Sequence, residues 1–136
     1  MIRWSDDFKI GIEVIDEQHK TLFNIAENLH ELLMLPHHTD RYDEIITLVN
    51  ELKEYTKFHF NEEEKIMLTV SYNKLFSHKV MHNDFIEKMD SIDIYKVEEN
   101  QTKYLLELVD YITTWITEHI MKTDKYLGEW YEEIHK

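Results

Sequence analysis

The stretch Tyr42–Ile66, YDEIITLVNELKEYTKFHFNEEEKI, places Tyr42, Ile45, Val49, Leu52, Thr56, His59, Glu63 and Ile66 at alternating steps of three and four. That spacing is a heptad seam, the face one long helix turns toward partner helices. The helix is expected from about Arg41 to Leu68. Its seam is apolar at one end and carries an imidazole and a carboxylate at the other.

The same period extends outward along the chain. A first helix is expected from Asp16, read as its N-cap, to Leu35 before Pro36, with Ile15, Leu22, Phe23, Ala26, Leu29 and Leu33 on one stripe. Pro36-His37-His38-Thr39 reads as a loop, with Asp40 able to cap the second helix. Thr69 to Asn73 breaks the pattern. A third helix, from about Lys74 to Asp90, carries Leu75, His78, His82, Phe85, Met89 and, at its edge, Ile92. Ser91 to Val97 reads as a loop. A fourth helix begins near Glu98 and uses Leu105, Leu108, Ile112, Trp115 and His119. Lys125 to Ile134, interrupted by Gly128, reads as a short terminal helix. Four helices with short connections are expected to pack up-down-up-down. The expected fold is therefore an all-α four-helix bundle over residues 16–124, with an N-terminal arm (1–15) and a C-terminal segment (125–136), forming one domain over 1–136.

Composition narrows the chemistry. With 15 Lys and Arg against 28 Asp and Glu, the 136-residue chain has a formal net charge of −13, which disfavours nucleic acid and anionic membrane surfaces as partners. The absence of cysteine excludes disulfides, thiolate nucleophiles and iron–sulfur clusters. No stretch reaches the roughly 18 apolar residues of a membrane span. The N-terminus, Met1 to Asp7, is polar and acidic where a secretory leader is apolar, so the cytoplasm is the expected compartment. The unusual feature is nine histidines.

Several of them lie on stripes that should be dry: His19 on the first helix, His59 with Glu63 on the second, His78 with His82 on the third and His119 on the fourth. Residues at i and i+4 share a helix face with β-carbons about 5–6 Å apart, so each pair can address one metal or two adjacent ones. A single His-x-x-x-His is a weak motif, and a lone histidine on an apolar face is more often a hydrogen-bonded core residue. The set is more informative. Starts of odd helices and ends of even helices meet at one end of an up-down bundle, so all these groups fall at one level. A dry, unpaired Glu63 would cost several kcal/mol, about 2–7 for a polar group and more for a charge, unless a cation removes that cost. Asp124 is a further candidate, but on an α-helix it would point about 140° away from His119. A π-type turn or a helix break between the two is therefore expected. His30, His37, His38 and His135 lie away from the cluster, and Trp4 and Trp130 read as packing residues.

These residues resemble the hemerythrin family, specifically its single-domain bacteriohemerythrins. The motifs are Ile15-Asp16-Glu17-Gln18-His19 followed by Leu22-Phe23, then His59-Phe60-Asn61-Glu62-Glu63-Glu64-Lys65-Ile66-Met67, then His78, His82 and Phe85, and finally Trp115, His119, Ile120 and Asp124 before Tyr126. All seven ligand positions of the family are filled, and the resemblance covers nearly the whole chain. Asn73 stands where the family pattern has proline after Tyr72, which touches only a loop.

The resemblance implies two iron ions bridged by Glu63, Asp124 and an oxo or hydroxo group. His78, His82 and His119 would saturate one iron. His19 and His59 would leave the other with a free position, where dioxygen binds end-on as peroxide. Two ferrous ions, two carboxylates and a hydroxide leave a net charge of about one, far cheaper to bury than either set alone. A shell rich in neutral imidazole favours reversible binding over substrate oxidation. Phe23, Phe60, Trp115 and Ile116 are candidates for the apolar lining. The expected function is reversible dioxygen binding, as carrier, store or sensor, in a monomer with a separate protein recipient or signalling partner, rather than catalysis. The alternatives are a di-iron enzyme such as a nitric oxide reductase or peroxidase using the same free position, and a protein that merely holds iron.

Overall fold

The computed structural model describes residues 3–35, 42–91 and 102–136. Among these residues there are four long helices and no strand: α1 (Glu13–Met34), α2 (Tyr42–Thr69), α3 (Leu75–Asp90) and α4 (Thr102–His119). A π-helical turn, Ile120–Asp124, joins α4 to the terminal helix α5 (Lys125–Ile134). The expected loop at residues 36–39, the cap at Asp40, the loop beyond Ser91 with Ile92, and the fourth helix's start near Glu98 lie outside the described residues, as do His37 and His38. No described helix is long and apolar enough to cross a membrane.

The stripes read from the sequence face one core. Ile15, Leu22, Phe23, Ala26, Leu29 and Leu33 of α1 are buried against Ile45, Val49 and Leu52 of α2, Phe85 and Met89 of α3, and Leu105, Leu108 and Ile112 of α4. α1 packs against α2 and α4, and α2 against α3. Burying these side chains, at roughly 1.5–3 kcal/mol each relative to exposure, is what holds the rods together.

The N-terminus of α1 differs from the sequence reading. The helix starts at Glu13, with Ile12 at the N-cap position, so Asp16 is not the cap. Its carboxylate reaches back instead and accepts hydrogen bonds from the backbone N–H of Ile10 at 2.8 Å and Gly11 at 3.3 Å. Arm donors, rather than helix donors, need this acceptor, because Ile10 and Ile12 are buried in the core. The turn is allowed by Gly11, whose φ of 96° suits glycine. Gly128 does not interrupt α5 either. It is where the arm crosses the helix, and a β-carbon there would collide with the carbonyl of Ile10.

α2 ends in a Schellman motif. The N–H of Tyr72 bonds to the carbonyl of Met67 at 2.9 Å, and that of Ser71 to Leu68 at 3.3 Å. Ser71 takes the left-handed conformation (φ 49°), a position usually held by glycine. The motif turns the chain sharply into α3 and buries Tyr72 beside the end of the bundle where the polar residues gather. Trp130 of α5 closes over it, donating its indole N–H to the carbonyl of Val70 at 2.8 Å.

Candidate metal centre

Four helices and the π turn bring seven side chains to one end of the bundle. His19 comes from the start of α1, His59 and Glu63 from the end of α2, His78 and His82 from the start of α3, His119 from the end of α4, and Asp124 from the π turn. All seven are buried. The π turn is what aims Asp124 inward: it absorbs the extra residue, so that Asp124 Oδ1 lies 3.1 Å from His119 Nε2.

The seven fall into two groups that share both carboxylates. One comprises His78, His82, His119, Glu63 and Asp124, the other His19, His59, Glu63 and Asp124, and the ligand atoms of each lie within 4.8 Å of one another. Each carboxylate divides its two oxygens between the groups. Glu63 Oε1 lies 2.8 Å from His78 Nε2 and 3.3 Å from His82 Nε2, while its Oε2 lies 3.3 Å from His59 Nε2 and 3.8 Å from His19 Nε2. Asp124 Oδ1 faces His78 at 2.9 Å and His119 at 3.1 Å, while Oδ2 faces His19 at 3.2 Å.

The donor set fits a pair of cations. Among the described residues, all four carboxylate oxygens are buried without a properly directed hydrogen bond, as are both ring nitrogens of His19. In the three-histidine group, His119 Nε2 lies 3.0 Å from His78 Nε2 and 3.1 Å from His82 Nε2. Three imidazole nitrogens aimed at one point cannot all satisfy each other, but a cation satisfies them together. Nitrogen and oxygen donors without sulfur suit borderline first-row ions.

Without a cation the charges must balance internally. Burial opposes protonation of His19, but the facing carboxylates of Asp124 and Glu63 outweigh it and push the imidazole up to about 9. His78 is pushed up to about 9 by the same opposition of burial against Asp124 and Glu63. Burial wins at His59, which is lowered. Burial also opposes the charge on Glu63, yet the imidazoles around it hold the carboxyl well below its usual range. The Tyr72 phenol is pushed up to about 12, first by burial and then by the charges of Asp124 and Glu63.

Aromatic rings flank the three-histidine group. Phe60 stacks on His82 with centroids 3.8 Å apart and planes 3° apart, and Trp115 stacks on His119 at 4.6 Å and 12°. Phe23 packs instead with Phe8 and Trp4 of the arm. Ile116 is buried in the core. Two further residues were given no role in the sequence reading. Gln18 Oε1 accepts from the Nδ1–H of His59 at 2.8 Å, and Glu64 Oε2 accepts from that of His82 at 2.9 Å. The signal for both was adjacency, since each is the chain neighbour of a candidate ligand within the quoted motifs.

The family model described as the hemerythrin HHE cation binding domain matches residues 10–131. The chain is 44% identical to a bacteriohemerythrin of Clostridium acetobutylicum over 92% of this chain and 97% of that protein. It is 30% identical to a myohemerythrin of Theromyzon tessulatum over 93% and 92% of the two chains. The crystal structure of a wild-type hemerythrin has the same fold, with a TM-score of 0.78 at 22% identity over 95% of this chain and 96% of that one. With the family match running from the end of the arm through all four helices and the π turn that carries Asp124, the chain belongs to the hemerythrin family.

Proposed function

We propose that this protein binds dioxygen reversibly at a pair of iron ions. His78, His82 and His119 would hold one, His19 and His59 the other, with Glu63 and Asp124 bridging. The observation that carries this reading is the division of each bridging carboxylate, one oxygen toward the three-histidine group and one toward the two-histidine group. When bound, the iron pair with its oxo or hydroxo bridge supplies the electrons and, on the His19–His59 side, the free coordination position that dioxygen requires. The protein's own part is to fix the imidazoles, offset part of the cations' charge with two buried carboxylates and keep water out. Ile116 and Phe23 are proposed as apolar lining, with Phe60 and Trp115 bracing His82 and His119. Ile116→Ala is expected to admit water and speed autoxidation.

The test is iron content together with the ultraviolet–visible spectrum during a cycle of anaerobic reduction, aeration and oxygen removal. Two irons per chain and a spectrum that returns to its starting form on oxygen removal are expected. Continuous consumption of dioxygen, peroxide or nitric oxide would replace the carrier with an enzyme, and release of the iron would replace it with a store.

A further inference from the structure

Two of the candidate ligands are held from behind by side chains of different charge. The Nδ1–H of His82 points at a carboxylate, Glu64, at 2.9 Å, while that of His59 points at a neutral amide, Gln18, at 2.8 Å. In both rings this fixes the tautomer, leaving the Nε2 lone pair aimed inward, and both Nε2 atoms lie 3.3 Å from an oxygen of Glu63. For these two rings the distance in front is matched, and the difference lies behind.

That difference has a chemical consequence. A carboxylate accepting from the far nitrogen makes an imidazole a stronger donor, whereas an amide mainly orients it. Gln18 is buried. Glu64 keeps 16% of its side chain exposed and lies 3.9 Å from the exposed Lys79 ammonium, a distance at which solvent screening leaves most of its charge available to His82. Among the described residues, Nδ1 of His19 and of His78 has no hydrogen-bond partner.

We propose that Glu64 and Gln18 are positioning residues that widen the inequality between two metal positions already differing by one imidazole. Glu64 strengthens the three-histidine position, and Gln18 orients His59 without adding charge on the other side. This rests on the metal-centre reading above. The pairing reinforces the order set by the ligand count, with the two-histidine ion the more weakly held of the two.

The test titrates metal-free protein with Co(II), following its visible absorption bands, in the natural chain and in Glu64→Gln and Gln18→Glu. Both substitutions preserve a hydrogen-bonding group of the same size and change only charge, so a purely structural role would leave the titration unmoved. The natural chain is expected to take two ions in unequal steps. Glu64→Gln should weaken the tighter step by about 10- to 100-fold, and Gln18→Glu should tighten the weaker step, so that each narrows the gap. Circular dichroism confirms that each variant is folded, and if Glu64→Gln does not fold, Gln18→Glu carries the test alone. Both steps staying within about twofold of the natural chain in the folded variants would overturn the proposal while leaving the metal centre standing. A natural chain that takes fewer than two Co(II) ions would overturn both.

Discussion

Asp124 lies five residues beyond His119, yet its Oδ1 stands 3.1 Å from His119 Nε2. On an α-helix the two would diverge by about 140°, and the π turn Ile120–Asp124 removes that divergence by taking one extra residue into a single turn. Deleting the exposed Lys122 would convert the spacing to four, which on an α-helix leaves the pair only about 40° apart. The deletion variant is therefore expected to keep two metal ions per chain and melt at or above the temperature of the natural chain without metal. Metal analysis and thermal denaturation check this, and loss of one ion would show that the turn does more than absorb a residue.

The pH dependence of the metal-free protein follows from the buried network. His19 and His78 are raised from 6.5 to about 9, so the stability they contribute is complete below about pH 6.5 and is lost as pH rises through about 9. Glu63 and Asp124 are lowered, so their contribution is present above the ordinary carboxylate range and lost only in strong acid. The melting temperature of metal-free protein is expected to fall between about pH 6.5 and about pH 9.5. Metal must displace the same protons, so loading at neutral pH should release protons and tighten as pH rises. The metal-loaded protein should show a flatter profile over the same range. Melts of both forms across this range, with a pH indicator during loading, decide the point.

Ser71 is expected to be a site of removable strain. It holds a left-handed conformation at the end of α2, where a β-carbon costs about 1–2 kcal/mol, partly offset by the greater unfolded-state freedom of glycine. Ser71→Gly should therefore stabilise the protein by up to about 1 kcal/mol, measured by denaturant unfolding, with metal content unchanged. A destabilised variant would mean that the Ser71 side chain makes a contribution larger than its strain.

The helices and the candidate site were legible in the sequence for one reason: helical periodicity fixes which residues share a face. His59 with Glu63, and His78 with His82, could be placed together because i and i+4 allow nothing else on a helix. The misfit of Asp124 to that period was itself the signal for the π turn. What was not legible depends on contacts between elements. Asp16 has the residue type of an N-cap, but it bonds the arm at Ile10 and Gly11, which only the folded path of the arm reveals. Gly128 looked like a helix breaker because its reason, the passing carbonyl of Ile10, lies far away in sequence. Gln18 and Glu64 sit beside the ligands in the chain, but their partners are on other helices.

The aromatic rings beside the site should act on the metal as well as on the core. Phe60 lies flat on His82, and Trp115 lies nearly flat on His119. A flat neighbour restricts rotation of an imidazole about its side-chain bonds, and an imidazole already in place loses less freedom on coordination. Phe60→Ala combines this with a cavity costing about 3–5 kcal/mol, so it cannot separate the two effects. Phe60→Leu keeps apolar volume and should cost less than about 1.5 kcal/mol while removing the flat face. Its metal should leave to a chelator about tenfold faster than from the natural chain, a loss of the size seen when support behind a ligand is removed. Trp115→Leu, at a half-buried position, should behave alike with a smaller loss of stability. Unchanged metal release in both variants, alongside the expected small drop in stability, would reduce these rings to core packing.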